Sequence, residues 1–373
     1  MFGTTIGSSI GSSISKSLDY KSMKSTPAKV KTPRFHDFIA DYGGCGHWRM
    51  IWPQMIINGT QKMFGSNSAI MISDESYYKS VSSVRIQRQV TSAQLSFASE
   101  LRRKADRIGF KFIYDIDDIF VIKDIPMYNA FRSSYDNAEL QDSAKKILNL
   151  VDMVTVTCDT MKDYYSQFND NVVVVKNYPP RFWLDGIYDH ETVMNNWTRK
   201  RTRIMYCGSG AHFDLRNNNN GVDDISHIVK LIRKTCDVYE WVFMGGEPPA
   251  IKDLIKSGKV TVHKWQSIYN LPRFIKNLNI NIFIAPLHDN IFNRCKSDIK
   301  ILEAGALGVP CICQDMITYD NSPLKFKTAD DLHDQIELLR GDYGLYSKLS
   351  KCYNDVLQSR WLDDNYQKYI DIL

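Results

Sequence analysis

Residues 284–313 read IAPLHDNIFNRCKSDIKILEAGALGVPCIC, and the fold follows from how this stretch divides. The apolar run Ile282–Ala285 reads as a buried strand that Pro286 ends. A polar loop then leads into a helical pattern of period about 3.6 that Gly308 and Pro310 close. A second apolar run, Cys311–Cys313, follows the Gly-Val-Pro turn and is expected to be the next parallel strand. The loop therefore opens at the carboxyl edge of a sheet, where open α/β folds hold their ligands. Unpaired backbone N–H groups at the helix start fall near Lys296 to Asp298, with Ser297 as the expected cap, an arrangement suited to a phosphate.

Lys296, Lys300, Glu303 and Leu307 share one helical stripe. Leu307 anchors that stripe, and Glu303 faces back toward the loop, able to accept two hydrogen bonds from a diol such as a ribose. The pattern N-x-x-K-S-x-x-K-x-x-E-x-x-A-L-G-x-P resembles the donor-site segment of family-4 retaining glycosyltransferases of the GT-B fold. That resemblance implies two Rossmann-like doubly wound parallel-sheet domains with a cleft between them and a final helix crossing back to the first domain. It assigns Glu303 to the nucleotide ribose. It also implies a second glutamate on the donor sugar, where this chain has Cys295, so that Asn293 or Asp298 is the expected substitute. Without the resemblance, Lys296 to Glu303 reads as a solvated helix face with an i,i+3 ion pair.

Working outward, Thr202–Cys207 reads as a strand followed by Gly208-Ser-Gly-Ala-His-Phe-Asp. Gly208 and Ser209 allow backbone amides to approach a diphosphate that His212 and Arg216 can reach. This loop again resembles the family's donor domain. Val260–Trp265 reads as a further strand whose end, in that family, meets the nucleotide base, so Trp265 either stacks there or packs.

In the first half, Phe35–Ala40 reads as a strand that hands over to a helix through Asp41-Tyr-Gly-Gly-Cys-Gly-His-Trp-Arg. This turn resembles the glycine-rich first loop of the same enzymes and marks Gly44, Gly46, His47 and Arg49 as cleft candidates. Trp48 and Trp52 are read as that helix's packed face. Further strands are expected at Ala69–Ile72, Lys111–Tyr114, Val151–Thr157 and Asn171–Lys176, and a helix at Thr91–Ile108 carrying Arg102, Arg103, Lys104 and Arg107. Asp115, Asp117 and Asp118 crowd one strand end. Three acids so close need a cation, sugar hydroxyls or arginines nearby, so Mg²⁺ binding, hydroxyl recognition, base duty and a structural turn are all open readings.

The expected organisation is a flexible basic tail (1–33), an acceptor-side domain (34–180), a linker (181–201), a nucleotide-sugar-binding domain (202–350) and a C-terminal helix on the first domain (351–373). The net charge of +5 lies mostly in residues 1–180, with 22 Lys and Arg against 18 Asp and Glu. Eight scattered cysteines without a C-x-x-C motif read as reduced thiols, and no apolar run approaches a membrane span. A soluble, cytoplasmic protein is expected.

The resemblance implies a retaining hexosyl- or pentosyltransferase using a nucleotide sugar, UDP favoured, with no cofactor and no metal. Lys296 and His212 would meet the departing diphosphate. Asp117 or Asp118 stands where the family carries a histidine. G-C-G-H-W-R, Y-D-I-D-D and A-P-L-x-D-N-x-F-N-R-x-K-S resemble glycosyltransferases carried by large tailed phages, some of which decorate hydroxymethylated cytosines of their DNA. Double-stranded DNA is accordingly the expected acceptor, contacted by Arg102, Arg103 and the lysine tail. A cell-surface polysaccharide or teichoic-acid precursor is the alternative, and a non-catalytic nucleic-acid-binding protein the alternative of another class.

Overall fold

The computed structural model describes residues 33–121, 125–184, 186–215 and 222–373. Residues 1–32 of the basic tail and Arg216 lie outside the described residues.

Two six-stranded, wholly parallel sheets form the framework. The first contains β1 (Arg34–Phe38), β2 (Phe64–Ser68), β3 (Ser83–Gln87), β4 (Lys111–Asp115), β5 (Met153–Val156) and β6 (Val172–Val174), in the order β2-β1-β3-β4-β5-β6. The second contains β7 (Arg203–Gly208), β8 (Glu240–Gly245), β9 (Val260–Lys264), β10 (Ile282–Ala285), β11 (Cys311–Gln314) and β12 (Lys325–Phe326), in the order β12-β11-β10-β7-β8-β9. Strand order reverses between β1 and β3 in the first sheet and between β7 and β10 in the second. Each reversal opens a crevice at the carboxyl edge.

The deciding stretch divides as expected. Ile282–Ala285 is a fully buried strand, paired in parallel with β11, and the intervening helix runs Ile299–Leu307, ending at Gly308 with φ 65°. That helix packs on the helix Tyr343–Gln358 so closely that a Cβ on Gly305 would stand 2.4 Å from the Tyr353 carbonyl oxygen.

The first sheet departs from the expectation at its second strand. The strand is Phe64–Ser68, not Ala69–Ile72, and Ser83–Gln87 is an additional central strand. β3 was hidden because Arg85 interrupts its apolar run. In the sheet, Arg85 is in register with Asp37 of β1 and makes a bidentate pair with it at 2.7 and 2.6 Å, both side chains fully buried. The expected linker also contains a helix, His190–Trp197.

The end of the chain crosses back onto the first half. Leu362 N–H bonds to the Pro179 carbonyl at 2.9 Å, Lys368 donates to the Tyr178 hydroxyl at 2.8 Å, and Lys111 reaches the Ile372 carbonyl at 3.0 Å.

Candidate functional site

Loops from the carboxyl edges of the two sheets meet across a cleft. The glycine-rich turn after β1 leads into a π-helical turn, His47–Ile51. Gly46 is obligatory there, because a Cβ would lie 1.7 Å from the Asp41 carbonyl oxygen; Gly44 precedes it with open space around its Cα. His47 spans the cleft, with Nδ1 2.8 Å from the Gly43 carbonyl and Nε2 2.7 Å from the Tyr269 hydroxyl, beyond β9.

Arg49, expected at the cleft, is instead fully buried. Its guanidinium grips Asp115 in a bidentate pair at 3.0 and 2.8 Å and reaches the Val175 carbonyl and Asn177 Oδ1, while Thr155 donates to the same carboxylate. A buried ion pair must satisfy its remaining donors and acceptors, and this one does so with the segment leading out of β6. Asp115 is thereby removed from the acidic trio and serves as structure.

The other two acids face a residue that sequence reading did not find. Arg88 follows β3 with φ 48°, a left-handed conformation rare for a side-chain-bearing residue. It pairs with Asp117 and lies 3.8 Å from Asp118. Lys296, from the second half, approaches the same Asp118 oxygen at 3.7 Å with its ammonium 4.4 Å from the centre of the Phe292 ring. Burial pushes the Asp117 carboxyl up, but Arg88 and neighbouring donors outweigh it and hold the group below its ordinary range. Two cations and two anions thus meet where the halves face each other. Because β3 was not recognised in the sequence, nothing there pointed to Arg88.

The donor-side loop after β7 carries Gly208, Ser209 and His212. Ser209 caps the short turn Gly210–His212, and His212 Nδ1 lies 2.7 Å from Asp224. Asp224 also accepts from Tyr128 at 2.8 Å, from Asn293 at 2.6 Å and from the His288 backbone at 2.9 Å. Asn293 is therefore fully buried, its amide donors directed at Asp224, Tyr128 and the His288 carbonyl.

Ser297 does not cap the helix. Asp298 occupies that position, and Ser297 Oγ accepts from Asn177 at 3.1 Å. Asp298 is taken by Arg360, which binds it at 2.8 and 3.2 Å and also donates to the Asn177 carbonyl. Lys300 and Glu303 form an ion pair at 2.8 Å, nearly buried, next to Cys207. Burial pushes the Lys300 ammonium down, but Cys207 and Glu303 outweigh it and raise it above its ordinary range. Cys295 is fully buried in the apolar core of the first half.

Trp265 is 53 % exposed and leans on Gly245: a Cβ there would meet ring atoms at 2.6 and 2.9 Å. The glycine, at φ 100°, seats the indole beside the end of β7.

Arg102 and Arg103 are not brought to the cleft. Their helix, Ser92–Ile108, starts at the carboxyl edge and runs back to the amino edge, where Arg102 pairs with Asp106 and with Asp152, one residue before β5. Lys104 pairs with Glu100 and Arg107 with Glu75. On the carboxyl-edge side, the large apolar residues left exposed after β1 and β2 are Tyr42, Ile70 and Met71. Among the described residues no group of three or more His, Cys, Asp or Glu could hold a metal ion, and no helix is long and apolar enough to cross a membrane.

Residues 201–336 match the family model described as Glycosyl transferases group 1. Solved structures similar to the chain include a UDP-glucosyltransferase from Polygonum tinctorium capable of glucosylating indoxyl (10% identity, 91% of this chain and 98% of that one, TM-score 0.39). They also include the wall teichoic acid polymerase TagF (13% identity, 92% and 88%, TM-score 0.43). No curated protein matches the sequence.

Proposed function

We propose that this chain is a glycosyltransferase that takes a sugar from a nucleotide-sugar donor, UDP-sugar favoured, and moves it to a hydroxyl acceptor. The observation that carries the reading is the convergence of the loop Gly208–His212 and the loop Pro286–Asp298 on the β7/β10 crevice, within the segment that matches the glycosyltransferase model. Trp265 is the platform for the base, and Glu303, with Lys300 beside it, is the group for the ribose. The Gly208–Ser209 amides, His212 and Lys296 meet the diphosphate.

Transfer breaks the bond between the sugar's anomeric carbon and the diphosphate oxygen and forms one to the acceptor oxygen. With retention of configuration the acceptor attacks from the leaving-group face, and its proton passes to a donor phosphate oxygen. Lys296 offsets the charge growing on that diphosphate, which is where stabilisation lowers the barrier, and His212 adds to this only with a second proton on Nε2, since its Nδ1 hydrogen is held by Asp224.

The DNA acceptor that the resemblance to phage enzymes implies would draw on positive charge in the first half, where Arg102 and Arg107 are paired with acids at the amino edge. Tyr42, Ile70 and Met71 on the carboxyl edge suit a sugar face or an apolar carrier better than a phosphate row, so a saccharide precursor is the acceptor class this surface favours. The test is release of nucleoside diphosphate by purified protein, scanned over UDP, GDP and ADP sugars, with saccharide acceptors and with hydroxymethylcytosine DNA in parallel. Release of no nucleoside diphosphate, together with no nucleotide sugar raising the melting temperature, overturns the enzyme reading. Transfer to the DNA alone overturns the acceptor.

A further inference from the structure

Asp224 is fully buried, and its two oxygens have different surroundings. Oδ1 receives the Tyr128 hydroxyl, the Asn293 amide and the His288 backbone N–H, so it is surrounded by donors and can only accept. Oδ2 faces one described side chain, His212, through Nδ1 at 2.7 Å. Burial pushes the Asp224 carboxyl up, but the hydrogen bond and charge of His212 and the other donors outweigh it and keep the group below its ordinary range. With an ionised carboxylate on Nδ1, that nitrogen carries a proton and the ring is held in one tautomer. His212 Nε2 has no bonded partner among the described residues, and the imidazole is 17% exposed while the Asp224 side chain is 1% exposed. The ring's accessible edge is therefore the Nε2 edge.

We propose that Asp224 is the positioning residue of the site. It fixes the tautomer and direction of His212 so that Nε2 faces the substrate, within a network completed from the other half of the chain by Tyr128. Three segments distant in sequence converge on this one carboxylate: the loop between β4 and β5 through Tyr128, the loop after β7 through His212, and the deciding stretch through His288 and Asn293. The arrangement resembles the orienting acid of a catalytic triad in its logic, since a buried carboxylate that never touches substrate decides which nitrogen of a histidine can act. Asn290 adds a bond to the Tyr128 hydroxyl at 3.1 Å, which keeps that hydroxyl aimed at Asp224.

The kinetic consequence rests on the glycosyltransferase reading, but the tautomer does not, so the two fail separately. Nitrogen-15 NMR of histidine-labelled protein, with the His212 signals identified by their loss in His212→Gln, reads the tautomer without any substrate. The full-length protein is expected to show His212 protonated at Nδ1 in its neutral form. Asp224→Asn, matched in size, should mix the two tautomers and lower kcat at least tenfold while donor KM changes less than threefold. Tyr128→Phe leaves the carboxylate and should keep the Nδ1-protonated form. An unchanged tautomer in Asp224→Asn overturns the assignment, as does a change in Tyr128→Phe as large as that in Asp224→Asn. If Asp224→Asn does not fold, an Nε2-protonated His212 in the unsubstituted protein overturns it alone.

Discussion

Lys296 Nζ lies 3.7 Å from an Asp118 carboxylate oxygen, the second half of the chain reaching the first across the cleft. Both groups are partly exposed, so the pair is weak, and a diphosphate carrying more charge can draw the ammonium from it.

Replacing Lys296 by Ala should therefore act on the chemical step. The expected loss in kcat is roughly 10²-fold, the scale of removing one charge-stabilising donor from a transition state, with donor affinity falling far less. Steady-state kinetics alongside equilibrium donor binding separate the two. A rise in KM with kcat intact would reduce Lys296 to a binding group.

Glu303 and Lys300 share burial as well as charge, which decides the design of the ribose test. Glu303→Ala should weaken donor binding by roughly 1.5–3 kcal/mol and also leave Lys300 without its 2.8 Å partner. Glu303→Gln keeps a bond to the lysine and isolates the effect on donor. Calorimetric titration with UDP, with melting temperature as control, should show weaker binding in both variants; unchanged affinity in both removes Glu303 from the ribose.

The base platform can be tested from both of its faces. Trp265→Ala should weaken nucleotide binding by about 1–3 kcal/mol, the range for losing one aromatic stack on a base. Gly245→Ala should do the same, because its Cβ would stand 2.6 Å from the indole; it would also stand 2.5 Å from the Gly208 carbonyl oxygen at a φ of 100°, so the melting temperature is its control. Quenching of tryptophan fluorescence by UDP, lost in both variants, is the readout. Normal binding in Gly245→Ala would mean that the seat does not matter.

His36 supplies a pH dependence of stability. Burial lowers its pKa to about 4, and its Nε2 is buried without a partner, so protonation would place an unpaired N–H there. The unfolded chain binds this proton near pH 6.5 and the folded chain does not until about pH 4. Stability should thus fall as pH drops through that window, by at most about 3 kcal/mol. Denaturant unfolding at pH 7, 6, 5 and 4 should show the slope, flattened in His36→Gln. An equal slope in both proteins assigns the effect elsewhere.

Much of the second sheet could be read from the sequence because its strands are continuous apolar runs between glycines and prolines, as both faces are covered. Ile282–Ala285 is the plainest example. The first sheet was less legible, since it buries charge: Arg85 with Asp37 and Arg49 with Asp115 look like surface residues until the sheet sets them side by side. The same limit applies at the site. Lys296, Ser297 and Glu303 stand in one motif, whereas Arg88, Tyr128, Asn177 and Asp224 enter only through three-dimensional neighbours, and no spacing along the chain announces them. Arg102 shows the converse, since in sequence it belongs to a basic cluster that reads as a surface for a ligand, whereas in the structure it pairs with Asp106 and Asp152.

The crossing of residues 362–372 onto the first half also bears on synthesis. Tyr178 of the first half lies between Arg360 and Lys368, with each cation over its ring, and Lys111 is held by the Ile372 carbonyl. During translation the first sheet emerges early but lacks these partners until nearly two hundred further residues have been made, as the 190-residue separation of Lys368 and Tyr178 records. The flank of the amino-terminal half that Tyr178 and Lys111 form is therefore completed only by residues 360–372.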